Sequence, residues 1–437
     1  MFTAFRIVGY FLIVTTLFTG VFVALIFSNT EIEPIQTIPK FVPESIERGE
    51  MLAKIGSCSA CHTVEKGLDF AGGVGLQTPF GVIFSTNITP DPETGIGTWS
   101  FQAFDRAMRS GLDREGRHLY PAFPYDFFSK TTELDMQDLY AYFMTREPVK
   151  KTAEKNDLIF PFSYRPFLLG WKTLFIKDQL FYPDPNLSET ENHGAYLASS
   201  LGHCGACHSP RNIFGAVISK KSLQGGTAEG WDAPALGKFS NAKIKWREDD
   251  YANYLFDGWS EQHGIAAGSM TPVTDHLYDA DEDDVYAISA WLAALTPKQS
   301  DSDRESLIAS ANALDWPNST GIVFEEELPN KKIEAGRDLF LQKCSKCHKQ
   351  RVSNTQPVSL ALTFTVNAET PQNLYNVIKR GIQPPIGSKN RKMEPIDLKE
   401  EEFSLVAAYV RWHFSDEKEW KELSNFSGQH KLKIDFD

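Results

Sequence analysis

Three pentapeptides constrain this chain more than anything else in it: Cys58-Ser59-Ala60-Cys61-His62, Cys204-Gly205-Ala206-Cys207-His208 and Cys344-Ser345-Lys346-Cys347-His348. Each reads C-x-x-C-H, the attachment signature for c-type haem. Two thiols at this spacing can both form thioethers to the porphyrin vinyl groups. The histidine that follows then lies under the ring as the proximal iron ligand. A redox dithiol and half of a zinc site share the C-x-x-C spacing. Against them, the three motifs consume all six cysteines, and each is followed by His. The expected cofactors are three covalently bound haem c groups, held by Cys58, Cys61 and His62, by Cys204, Cys207 and His208, and by Cys344, Cys347 and His348.

The surrounding sequence repeats with the motifs. Each is preceded by a helical pattern with a central glycine, Gly49, Gly194 or Gly336. Each repeat ends in an apolar helix carrying an aromatic, at Tyr142, Trp291 or Tyr409. The glycine is expected to let that aromatic approach the first helix closely. The last helices carry N-terminal signals, Thr132 with Asp135, Asp281 with Asp284, and Asp397 with Glu400. Between first and last lies a middle helix that stops at a glycine: Gly111, Gly258 or Gly381.

Those three glycines give a register for the second axial ligand, usually a loop methionine in such cytochromes. Twelve residues beyond Gly258 is Met270, and twelve beyond Gly381 is Met393. A single Met is more often core filler, but two at one register read as iron ligands. Twelve beyond Gly111 is Phe123, which cannot ligate iron. Met108 reads as helix core and His118 as a surface-loop residue. The first haem is therefore expected to be five-coordinate, or weakly ligated by water or His118.

Residues Ile7 to Phe27 carry no charge. As a helix they span about 31 Å, against a hydrocarbon core of about 30 Å. Arg6 precedes the run and Glu31 and Glu33 follow it, which places the N-terminus in the cytoplasm and the rest outside it. No small-x-small cleavage site follows, so an uncleaved anchor is expected over a signal peptide. The stretch from Glu33 to Pro43 reads as a tether. A net charge of −13 argues against nucleic acid as a partner.

The expected organisation is mainly α: an anchor at 1–30, haem repeats at 44–150, 188–297 and 333–415, and a tail at 416–437. The link at 298–332 begins polar and is expected to be solvated. The link at 151–187 is unusually aromatic. It is read as a strap packed across the first two repeats, or as a docking face for a partner subunit, a quinone or the membrane surface.

The chain resembles the three-haem cytochrome c subunits of membrane-bound bacterial dehydrogenases, such as those oxidising alcohol, gluconate and sorbitol or fructose. The carrying residues in the first repeat are Gly72-Gly73, Thr78 to Gly81, Ser85 to Asp91, Gly95 to Trp99 and Leu119 to Tyr125. In the second they are Leu223 to Gly226 and Gly230 to Pro234, and in the third Ala361-Leu362 and Pro371 to Leu374. The resemblance covers roughly 44 to 415 and implies three tandem class I cytochrome c-like domains. The family pattern at 119–125 reads Leu-Tyr-Pro-Ala-Met-Pro-Tyr, with the Met as ligand; here Phe123 replaces it. The resemblance further implies an electron-transfer subunit rather than a catalytic one. Its partner is a dehydrogenase subunit of flavin, PQQ or molybdenum type, and its acceptor ubiquinone or a terminal oxidase. The implied location is the bacterial inner membrane, with the haem domains in the periplasm.

No nucleotide-binding glycine motif, hydrolase elbow or paired-carboxylate constellation is present, so no catalytic residues are assigned. An open first haem with His118, Arg117 or Tyr125 as distal groups makes peroxide or small-ligand chemistry the alternative. A tethered shuttle serving soluble partners is a third reading.

Overall fold

The computed structural model describes residues 31–177, 180–315, 328–348 and 358–421, together with Tyr10, Gly20 and Leu423. The expected span from Ile7 to Phe27 lies outside the described residues apart from Tyr10 and Gly20. Among the described residues no helix is long and apolar enough to cross a membrane. The chain is mainly helical. It divides into two compact units, Met1–Glu50 with Cys61–Leu180, and Met51–Ala60 with Phe181–Asp437. The second unit holds both the second and the third motif.

In the first repeat the order is α1 (Pro43–Ile55), α2 (Cys58–His62), a hairpin of β1 (Gly75–Thr78) and β2 (Gly81–Phe84), α3 (Phe101–Ser110) and α4 (Glu133–Met144). Two further elements follow, β3 (Asp157–Leu158) and α5 (Phe167–Phe175). The second repeat has α6 (Glu189–Ser199), the hairpin β4 (Gly226–Ala228) and β5 (Trp231–Ala233), α7 (Glu248–Asp257), α8 (Thr271–Tyr278) and α9 (Glu282–Ala294). Then come α10 (Asp301–Asp315), α11 (Lys331–Lys343), α12 (Gln372–Arg380) and α13 (Glu400–Phe414).

First and last helices cross at the expected glycines, but more tightly than an aromatic contact requires. A Cβ at Gly49 would fall on the backbone carbonyl of Asp138, at Gly194 on that of Ala287, and at Gly336 on that of Leu405. The helix backbones themselves touch. The aromatics Tyr142 and Tyr409 are secondary neighbours. Thr132 caps α4 by accepting from Asp135 N, and Asp281 caps α9 by accepting from Asp283 N and Asp284 N. Asp397 does not cap α13. The residue that precedes that helix is Lys399, whose N–H donates to Glu402 at 2.9 Å, while the exposed Asp397 pairs with Lys379. Met108 is buried on the apolar face of α3, beside Phe104 and Ala107.

Two of the three connecting segments depart from expectation. The tether is pinned at its start: Ile32 N donates to Arg114 O, Ile35 N to Thr98 O, and Arg114 binds Glu31. The polar link is helical up to Asp315. Arg304, Leu307, Ile308 and Ala311 fall on one face of α10, at the i, i+3, i+4, i+7 spacing of an amphipathic helix. Arg304 donates to both carboxylate oxygens of Asp250, and the three apolar residues pack on the third repeat's core with Phe340, Phe403 and Val406. Residues 316–327 lie outside the described residues. The aromatic strap touches both of the first two repeats: its first part lies along the first repeat, and further on Phe181 packs its ring on Tyr196 of α6 at 5.5 Å. β3 pairs with β2, Phe162 stacks on Phe80 at 4.1 Å, and Lys172 of α5 donates to the carbonyls of Ser110 and Gly111. Phe160, Tyr164 and Leu174 remain exposed.

Candidate haem-binding sites

The first motif forms the short helix α2, and a glycine pair sets what faces it. Gly72 N donates to His62 O, and a side chain at Gly72 would strike the Thr86 backbone. That close approach brings the Thr86 carbonyl to the imidazole, and His62 Nδ1 donates to it at 2.7 Å. In the second motif a 3-10 turn runs Cys204–Ala206, and His208 N donates to Cys204 O. Here His208 Nδ1 donates to Pro234 O, also at 2.7 Å. A carbonyl only accepts, so in both rings Nδ1 carries the proton and Nε2 keeps its lone pair. Burial lowers both histidines' pKa, which keeps the rings neutral. A neutral imidazole anchored through Nδ1 is the form that ligates a metal.

His348 is half-buried, and this burial lowers its pKa. Its Nδ1 has no acceptor among the described residues, and residues 349–357, which follow it directly, lie outside them. None of the six cysteines is in a disulfide. Burial pushes the Cys204 thiol up to about 12 and Cys344 to about 11. A redox dithiol needs the opposite shift. Among the described residues no three His, Cys, Asp or Glu side chains converge as a metal cluster. The donor sets at the first two motifs fit covalent haem: paired thiols and a neutral imidazole with Nε2 to spare.

The loops beyond the middle helices divide the repeats. Gly111 and Gly258 both end their helices in the left-handed conformation. In the first loop Leu112 bridges His118, and Leu119 N donates to Gly111 O at 2.8 Å. In the second, Trp259 pairs with Ile265, and Ala266 N donates to Gly258 O at 2.8 Å. Both closing bonds come eight residues after the glycine, and four residues later stand Phe123 and Met270. The loops are therefore built alike. The third loop differs: Ile382 and Met393 exchange two backbone hydrogen bonds, at 2.7 and 3.0 Å. Met393 reaches its twelve-residue spacing by another route.

Met270 closes a 3-10 turn, Gly268–Met270, whose glycine lies against the Trp231 ring. Phe123 instead packs its ring on Phe128 at 5.3 Å. His118, expected on a surface loop, is buried, and burial with the nearby Lys172 charge lowers its pKa to about 4. Tyr125 is buried against Gly111, its pKa raised by burial, and Lys172 lies 4.7 Å over its ring. Arg117 is tied to Asp113 and Glu115. Sequence reasoning missed Thr86, Pro234 and Lys172. The first two lie in stretches whose pattern was recognised, but a backbone carbonyl leaves no residue-type signal.

Residues 331–410 match the family model described as cytochrome c oxidase, cbb3-type, subunit III. The gluconate 2-dehydrogenase cytochrome c subunit of Pantoea cypripedii is 34% identical over 357 residues, 77% of each chain. The fructose dehydrogenase cytochrome subunit of Gluconobacter japonicus is 31% identical over 411 residues, 89% of this chain and 83% of that one. This chain belongs to the cytochrome c subunits of dehydrogenases. A nicotinate dehydrogenase subunit of Pseudomonas putida is 41% identical over 392 residues. That alignment takes in 88% of this chain, which spans 32% of that relative's length. As a cytochrome c subunit the protein transfers electrons through covalently bound haem c, with a dehydrogenase as partner.

Proposed function

We propose that this subunit is a three-haem conduit, one haem per C-x-x-C-H repeat. It takes electrons from a dehydrogenase catalytic subunit of flavin, PQQ or molybdenum type and passes them to ubiquinone or a terminal oxidase. Haem iron supplies one-electron redox chemistry when bound. The chain's part is to fix each group and set its potential. Cys58 and Cys61, Cys204 and Cys207, and Cys344 and Cys347 attach the haems, and His62, His208 and His348 are the proximal ligands. Met270 and Met393 complete the second and third sites. The first site, with Phe123, has no methionine. The N-terminal segment anchors the protein in the bacterial inner membrane with the haem domains on the periplasmic side.

The observation that carries this reading is the pair of imidazoles anchored through Nδ1 to Thr86 and Pro234 carbonyls, each directly after a cysteine pair. Haem quantitation per chain on protein matured with a c-type attachment system tests it. Three covalent haems are expected. Two or fewer with all six cysteines intact would contradict it.

The matched loop geometry favours a second reading for one site. Because Phe123 occupies the place Met270 holds in a loop of the same build, the first haem is open to a small ligand or peroxide. Turnover of peroxide that is lost in His118→Ala, with haem content unchanged, would support it. Without such turnover the first haem is a transfer site only.

A further inference from the structure

The second repeat's ligand shell does not stand on its own residues. β5 supports the surroundings of both candidate axial ligands. It leads directly into Pro234, whose carbonyl accepts the His208 Nδ1–H hydrogen bond, and its Trp231 ring covers Gly268, two residues before Met270. The β4–β5 turn reinforces the second link, because Ser269 Oγ donates to Glu229 at 2.7 Å. Glu229 and Gly230 both have positive φ, as a two-residue type I′ hairpin turn requires.

This hairpin is gripped by α12, which belongs to the third repeat. Asn373 acts like one residue of a neighbouring strand. Its Oδ1 accepts from Asp232 N and its Nδ2 donates to Asp232 O, both at 2.8 Å. Asn376, 1% exposed, donates from Nδ2 to Gly230 O at 2.8 Å. Thr370, just before the helix, donates to the Asp232 carboxylate, and Arg380 lies 6.0 Å over the Trp231 ring. Gln372, Asn373 and Asn376 are all buried. Burying amides is costly unless each polar atom is paired, and here the hairpin backbone supplies the partners. A buried amide row serving only the third repeat's core would have no reason to match another repeat's backbone atoms.

We propose that Asn373 is a positioning residue for the second haem: through Asp232 it fixes β5, and through β5 the Pro234 carbonyl behind His208 and the Trp231 plate behind Met270. The third repeat thereby sets the second haem's potential. This rests on the ligand assignment of His208 and Met270 proposed above. A carbonyl held on Nδ1–H makes the imidazole a stronger donor and favours ferric iron. Loosening Pro234 raises the potential.

The test is a redox titration of the full-length, three-haem protein. Met270→His and Met393→His label the second and third waves. In Asn373→Leu the second wave is expected to move upward by about tenfold in its reduction equilibrium, about 59 mV for one electron. The isosteric Asn373→Asp keeps the acceptor, loses the donor and is expected to shift the same wave less. A shift confined to the third wave, or lowered thermal stability with the second wave unmoved in both variants, overturns the inference. A titration in which Met270→His moves no wave removes the ligand assignment itself, a separate failure.

Discussion

The first and second repeats share a scaffold and differ at one decisive position. Both cross their outer helices backbone to backbone at a glycine, both anchor the motif histidine through Nδ1 to a carbonyl, and both close the distal loop eight residues past a left-handed glycine. Four residues further, one has Phe123 and the other Met270. The supports differ as well. The second repeat's loop is backed by Trp231, on a hairpin gripped by α12. The first repeat's loop is braced by its own strap, where Lys172 holds the Ser110 and Gly111 carbonyls and Arg165 donates to His118 O at 3.2 Å. On the proposed ligand assignment, the scaffold fixes where a sixth ligand would stand, and a single side chain decides whether there is one.

The sharpest way to break this comparison is to exchange the two residues. Phe123→Met should turn a first haem that binds carbon monoxide in the reduced state into one that does not, and Met270→Phe should open the second. Optical titration reads an all-or-none change at each. If Phe123→Met leaves ligand binding untouched, the shared register is wrong.

The next effect tests what the repeats have in common. Gly194→Ala drives a methyl into the Ala287 carbonyl and should cost about 3 kcal/mol, at the upper end of overpacking penalties. Gly49→Ala should cost about as much through Asp138. Chemical denaturation of the two variants measures both, and a neutral result at either glycine would separate the two crossings.

A smaller loss should appear only in the first repeat. Lys172→Met removes the donor from two carbonyls, worth about 1–3 kcal/mol by the usual scale for such bonds. Amide exchange should quicken in 111–124 and stay unchanged in 258–270. Faster exchange in both loops would mean a global effect rather than a strap.

A last effect is in pH. His118 has its pKa lowered to about 4 by burial and by Lys172, against an ordinary value of 6.5. Between those values the unfolded chain binds more protons at this residue than the folded one. Stability should therefore fall as pH drops from 6.5 towards 4. His118→Gln should flatten that part of the profile, and an unaltered slope would show that other groups dominate it.

Much of this was legible from residue spacing. Motif, helix-crossing glycine and helix-ending glycine recur at matched positions, and such matches follow from steric needs that only particular residues meet. The Phe123 and Met270 register also comes from spacing, and the loop hydrogen bonds give it a structural basis. Less legible were interactions made by the backbone or by remote side chains. Thr86 lies 24 residues beyond His62 and Pro234 lies 26 beyond His208, and nothing in their types marks either carbonyl as a partner. The polar start of the 298–332 link hid the apolar face of α10 behind Asp301, Ser302 and Asp303. Asp397 looked like a cap because it precedes an acidic run, yet the helix begins three residues later, with Lys399 in the capping position. Met393 shows the limit of counting: twelve residues from a glycine describe two different loops.

The most direct test of the central claim is the stoichiometry of carbon monoxide bound to the fully reduced, haem-loaded wild type. One molecule per chain, abolished by Phe123→Met, is the predicted result. Zero per chain would mean that the first site is closed by another residue, and more than one would contradict the assignment of Met270 and Met393.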